Sequence, residues 1–179
     1  MDPYLYALIS TFVPEHSKVL TDLANGLLIK EIRHGQTYAN GVLHSFNDEP
    51  AISFSSGTKV WYRHGQIHRD NDLPAIVYNN GTKEWYQHGL LHRDNDLPAV
   101  INNSCGYEEW YKNGLKSRDN DLPAEIWKNG TKKWYQNGEL HRDNKDFPVI
   151  IWFDGHQLFF QNGVYHHSSS DMRFLDVSF

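Results

Sequence analysis

The sequence predicts an all-β fold: an elongated, single-layer array of antiparallel β-hairpin units with a short helical cap at its N-terminal end. Three observations predict it. Pro50, Pro74, Pro98, Pro123 and Pro148 recur at spacings of 24, 24, 25 and 25 residues, and self-similarity at such a period marks a stacked-unit architecture. Trp61-Tyr62, Trp85-Tyr86, Trp110-Tyr111, Trp134-Tyr135 and Phe159-Phe160 recur at 24, 25, 24 and 25, so two ladders share one period. Between the ladders every unit places a glycine turn between runs of β-branched and aromatic residues, which is the pattern of a hairpin.

Residues 1–27 stand outside the period. From Pro14 to Asn25-Gly26 they read as a helix, with proline in the first turn, Val19, Leu20 and Leu23 on one face, and Asn-Gly as the stop. Such a helix would cover the terminal edge of a sheet. Residues 28–167 hold about six units. The first is degenerate, with Thr37-Tyr38 at the Trp-Tyr position and FNDEPA in place of DNDLPA. Each later unit opens with a short strand (AISF, AIVY, AVIN, AEIW, VIIW), turns at Gly57, Gly81, Gly106, Gly130 or Gly155, and returns through TKVWY or its equivalents.

A two-residue type I′ turn at Asn80-Gly81 would set Ile76 opposite Trp85 and Ala75 opposite Tyr86, leaving apolar groups on both faces. Glu125 breaks the pattern where other units carry Ile or Val. A second turn follows at Asn40-Gly41, His64-Gly65, His88-Gly89, Asn113-Gly114, Asn137-Gly138 and Asn162-Gly163. Asn and His both tolerate positive φ, so their interchange before a constant glycine signals a backbone requirement rather than imidazole chemistry. Residues 168–179 are expected to cap the other end, Leu175, Val177 and Phe179 alternating as in a closing strand.

A formal charge of −5, from 17 Lys+Arg against 22 Asp+Glu, gives no reason for non-specific binding to nucleic acid. No apolar run reaches membrane-spanning length, so no integral insertion is expected. A single cysteine, Cys105, and a start without the basic flank of a secretory signal lead to the expectation of a soluble, intracellular, cytoplasmic protein.

The recurring phrase WYxxGxxHRDNDLPA, carried by a glycine-centred hairpin with an aromatic pair before Asn/His-Gly, resembles the MORN repeat in its variant forms. It is similar to repeats of multicopy proteins of large DNA viruses of amoebae and of some bacteria. The resemblance covers roughly residues 28–167. It implies a long antiparallel sheet used for scaffolding and protein contacts, with phosphoinositide binding in some members, and a place in host cytoplasm or virion if the source is viral. The inserted HRDNDLPA departs from the usual MORN spacing.

Candidate chemistry falls into three groups. Arg69, Asp70, Asp72 and Pro74 recur as Arg93, Asp94, Asp96 and Pro98, as Arg118, Asp119, Asp121 and Pro123, and as Arg142, Asp143 and Pro148. These loops read as structural, Asp and Asn closing a turn while Arg pairs with an Asp of the next unit. The alternative is a divalent cation or phosphoinositide held by the same loops, although the loop lacks the internal glycine and terminal bidentate Glu of a calcium site. Zinc at His64 with His68 or His88 with His92 fails because later units lack the pair.

Because each Asp, His and Arg cluster exists in several similar copies, no catalytic residue, metal ligand or cofactor is assigned. Trp61, Tyr62, Trp85, Tyr86, Trp110, Tyr111, Trp134 and Tyr135 form the expected partner-binding stripe, for a protein that includes a second copy of this chain. A single-stranded nucleic acid platform built from the same tryptophans and Lys59, Lys83 and Lys132 is disfavoured by Glu108-Glu109 and the acidic balance.

Overall fold

The computed structural model describes residues 19–23, 26–143, 146–161 and 164–168. These contain strands and turns and no helix, so no helix among them is long and apolar enough to cross a membrane. Most of the expected N-terminal cap and of the C-terminal closing strand lies outside the described residues. Over Val19–Leu23, the second half of the expected helix, the chain is instead strand β1, paired antiparallel with β2 (Gly26–Arg33). In this pair Val19 stands opposite Lys30 and Leu23 opposite Gly26.

After β3 (Gln36–Ala39) and β4 (Val42–Leu43), each unit contributes two hairpins rather than one. The first hairpins are β5 (Ile52–Ser53) with β6 (Lys59–Val60), β9 (Ile76–Val77) with β10 (Lys83–Glu84), β13 (Val100–Asn102) with β14 (Tyr107–Glu109), and β17 (Glu125–Trp127) with β18 (Lys132–Lys133). With β21 (Ile150–Ile151), β22 (Gln157–Gln161) and β23 (Val164–Ser168) they form one eleven-stranded antiparallel meander. The second hairpins are separate two-stranded sheets: β7 (Tyr62–Arg63) with β8 (Gln66–Ile67), β11 (Tyr86–Gln87) with β12 (Leu90–Leu91), β15 (Tyr111–Lys112) with β16 (Leu115–Lys116), and β19 (Tyr135–Gln136) with β20 (Glu139–Leu140). Successive short hairpins are joined by backbone bonds such as Gly89 N–H to the Ile67 carbonyl at 2.9 Å and Gly114 N–H to Leu91 at 2.8 Å.

The tryptophan is where the chain changes sheets. Trp85 N–H donates to Ala99 of the following unit at 2.8 Å, while its carbonyl accepts from His92 of its own short hairpin at 3.1 Å. Trp61, Trp110 and Trp134 repeat both bonds.

Turn chemistry separates the two hairpins and corrects the expected register. At Asn79–Gly81 only Gly81 has positive φ, 83°, and Tyr78 and Thr82 close a three-residue loop, so the turn is not type I′. Ile76 therefore pairs with Glu84, not Trp85. Type I′ geometry belongs to the second turn, where His64 (48°) and Gly65 (81°) both have positive φ, as do Asn40, His88, Asn113 and Asn137 with their glycines. The lengthening of the period from 24 to 25 residues at Trp110 comes from a longer first turn. Asn103–Gly106 is a four-residue loop between Asn102 and Tyr107, and a Cβ on Gly106 would lie 2.5 Å from that of Lys128.

Candidate interaction face

Each RDNDLP loop is a type I′-like turn without glycine: Asn71 and Asp72 have φ of 61° and 54°, and Leu73 N–H bonds the Asp70 carbonyl. Asn and Asp are the residues that enter this region at least cost. The turn aims the Asp72 carboxylate at Arg93, whose Nε and Nη2 donate to its two oxygens at 2.7 and 2.8 Å. The third bond from Arg93 goes to the Pro98 carbonyl, and its guanidinium lies 3.8 Å above the Trp85 ring. The Trp85 indole N–H donates to the Asp72 carbonyl at 2.9 Å.

Arg69, Arg118 and Arg142 repeat the set with Asp48, Asp96 and Asp121. Each Arg thus reaches the preceding loop, the reverse of the expected direction. The Arg93 hydrogen bonds hold the Asp72 carboxyl below its usual range against the opposing effect of burial. Asp48 and Asp96 are lowered in the same way by Arg69 and Arg118. The other aspartate of each loop is more exposed: Asp70 accepts from Arg63 and His68, Asp94 from Gln87 and His92, Asp119 from Lys112, and Asp143 from His141.

The histidines are equally committed. His68 Nδ1 accepts the His88 backbone N–H at 3.2 Å, so its proton sits on Nε2 and is donated to Asp70 at 3.0 Å. His44 and His92 receive the N–H groups of His64 and Asn113 in the same manner. Between His44, Trp61, Arg63 and Asp70 lies a cleft of about 320 Å³, but the polar groups lining it already hold one another. No group of three or more His, Cys, Asp or Glu among the described residues is arranged to hold a metal ion.

This stack covers four members of the expected partner stripe. Trp61, Trp85, Trp110 and Trp134 are buried, at 6–7% exposure, because the loop and its Arg close over them. Tyr62, Tyr86, Tyr111 and Tyr135 point the other way and are half-buried. They belong to a face whose centre is a row of directly paired residues crossing the large sheet: Ile52, Val60, Ile76, Glu84, Val100, Glu109, Glu125, Lys133, Ile150 and Leu158. Around Ile52, Val60 and Ile76, the side chains of Leu43, Tyr62, Ile67, Tyr78 and Tyr86 pack from the flanks.

The middle of the row is charged, and the sequence reading caught only Glu125 of it. Glu109 and Glu125 stand directly opposite one another. Lys116, from the short hairpin, lies between them at 2.8 and 2.6 Å. Lys133 and the Trp127 indole each donate to Glu125 at 2.6 Å. Burial works to raise the Glu125 carboxyl, but these three donors outweigh it and hold the group at about 2. Burial likewise opposes the Lys116 charge, and its two glutamates prevail and raise it. Burial and the Glu109 charge push Tyr111 up to about 12.

Glu84 behaves differently. Burial raises its pKa, its hydrogen bonds among the described residues come from Tyr86 and Tyr78, and Glu109 adds a repulsive charge. The missed signal was legible: Lys116 occupies the position where Leu43, Ile67, Leu91 and Leu140 stand in the other units.

Fold and face together define an all-β chain of antiparallel hairpins, sealed on one side by an Arg-Trp-Asp stack and carrying a half-exposed tyrosine row on the other. No protein-family model, curated protein or solved structure matches it.

Proposed function

We propose that the chain is a non-catalytic protein-interaction module, an elongated hairpin array of the MORN-variant kind that holds a partner along its tyrosine face. The observation that carries this reading is the half-exposure, at one register, of Tyr62, Tyr86, Tyr111 and Tyr135. Successive tyrosines are two strands apart, about 10 Å, so the face offers regularly spaced, rigid anchors with an apolar body and a polar tip. Side chains of reactive type point to architecture: the carboxylates of Asp48, Asp72, Asp96 and Asp121 are occupied by arginine, the imidazoles of His44, His68 and His92 by backbone N–H groups, and the Lys116 ammonium by two glutamates. Scaffolding is also what the resemblance of residues 28–167 to MORN-variant repeats implies.

Affinity capture with the whole chain tests it. Replacing Tyr86, Tyr111 and Tyr135 together by serine should abolish capture, whereas Asp94→Asn, on the loop side, should leave it intact. Loss with Asp94→Asn and retention with the tyrosine variant would overturn the assignment of the face.

A further inference from the structure

The array contains its own example of how this face receives a cation. In the fourth unit Tyr111 pairs across the short hairpin with Lys116, and the ammonium lies between two glutamates, 5.6 Å from the Tyr111 ring centre and 5.0 Å from that of Tyr135. One unit earlier the same scaffold recurs with two changes, Leu91 standing at the position of Lys116 and Val100 at that of Glu125. Tyr86 pairs with Leu91 in place of lysine, while the carboxylate remains as Glu84, with Glu109 close enough to repel it.

Glu84 has Ile76 and Val100 as its cross-strand neighbours and tyrosine hydroxyls as its hydrogen-bond donors. Among the described residues no cation pairs with it. A half-exposed carboxylate walled by aromatic rings and lacking a counter-charge is complementary to an ammonium or guanidinium, which gains both a charge-assisted hydrogen bond and contact with ring faces.

We infer that Glu84, with Tyr78, Tyr86 and Tyr111, receives a lysine or arginine side chain of the partner protein, flanked there by apolar residues that lie on the neighbouring tyrosines. The inference rests on the interaction reading above and adds the chemistry of the partner's anchor. Lysine-borne charge alone would be held weakly at a site open to water. The apolar flanks exclude that water, and they match the Leu91, Ile76 and Val100 surroundings of the carboxylate.

Two peptides test it: acetyl-Leu-Lys-Leu-amide, and the same peptide with norleucine, which keeps the aliphatic stem and removes the charge. Titrated into the whole chain and followed by the ring resonances of Tyr86 and Tyr111, the lysine peptide should bind about tenfold more tightly. That preference should vanish in Glu84→Gln. It should also vanish in Leu91→Lys, which places an internal ammonium where Lys116 sits one unit later.

Equal binding of the two peptides, no binding of the lysine peptide, or a preference that survives Glu84→Gln overturns the inference. Urea midpoints of both variants at or above the wild-type value identify a lost preference as a lost site rather than a lost fold. Should a partner captured by the wild-type chain be held equally by Glu84→Gln yet lost by the tyrosine variant, the interaction reading stands and the cation site falls.

Discussion

Replacing Lys116 by leucine, the residue of the flanking units, should be one of the costliest single changes in the molecule, although it makes the sequence more regular. The change removes charge-assisted bonds of 2.8 and 2.6 Å and leaves two carboxylates, Glu109 and Glu125, directly opposed. Glu125 is 3% exposed. Breaking one partner out of a buried ion pair costs about 3–5 kcal/mol. Lys133 and Trp127 still hold Glu125, so the loss should be about 3 kcal/mol, at the lower end of that range.

Glu125→Ile alone leaves Lys116 its bond to Glu109 and should cost about 1.5 kcal/mol. The double variant Lys116→Leu/Glu125→Ile restores the apolar wording of neighbouring units and should fall within about 1 kcal/mol of wild type. The coupling between the two sites is then about 4 kcal/mol, read from urea midpoints at pH 7 with the m-value unchanged. Because Glu125 is held at about 2 against an ordinary 4.5, its stabilisation is complete above pH 4.5. The coupling should therefore shrink as pH falls from 4.5 towards 2. Additivity of the single changes within about 0.5 kcal/mol would refute the reasoning.

Glu84→Gln should raise the urea midpoint at pH 7, since an ionised carboxylate in that environment opposes folding. The raised pKa of Glu84 means the advantage fades once acid protonates the native group, so equal gains at pH 4 and pH 7 would contradict it. Asp72→Asn keeps a residue that tolerates positive φ but removes the charge facing Arg93, and should cost about 1 kcal/mol given the half-exposed carboxylate. The same change at Asp48, Asp96 or Asp121 should cost a comparable amount, and a loss confined to one position would point to a role outside architecture. His44 has its pKa lowered first by burial and then by the His64 and Arg63 charges. Its contribution is present above pH 6.5 and is lost as pH falls through the native value, so hydrogen exchange at the His64 amide should lose protection on acidification below 6.5, and protection that stays constant would contradict it.

Much of the fold could be read from the chain. Period, hairpin, glycine register and the need for positive φ before Gly65 and Gly89 follow from local rules that tertiary structure does not override. The face assignment could not be read, because it depended on counting two or three residues in the Asn79–Gly81 loop, and one residue exchanges the faces of Ile76 and Trp85. Tryptophan burial was hidden for another reason. The cover over Trp85 comes from Arg93, whose charge suggests solvent but whose guanidinium lies over the ring and spends its donors on Asp72 and Pro98. Glu125 stood out as an exception, but its lysine partners come from positions 8 and 9 residues away and are visible only when units are laid over one another.

Removing one whole period, residues 75–98, tests the central claim most directly. Pro74 would then join Ala99, Asp72 would meet Arg118 in place of Arg93, and every remaining unit would keep an equivalent neighbour. The account predicts that this variant keeps its β-sheet circular dichroism and a cooperative urea transition, while deletion of residues 75–86 alone unfolds the chain. Equal loss of structure in both variants would contradict it.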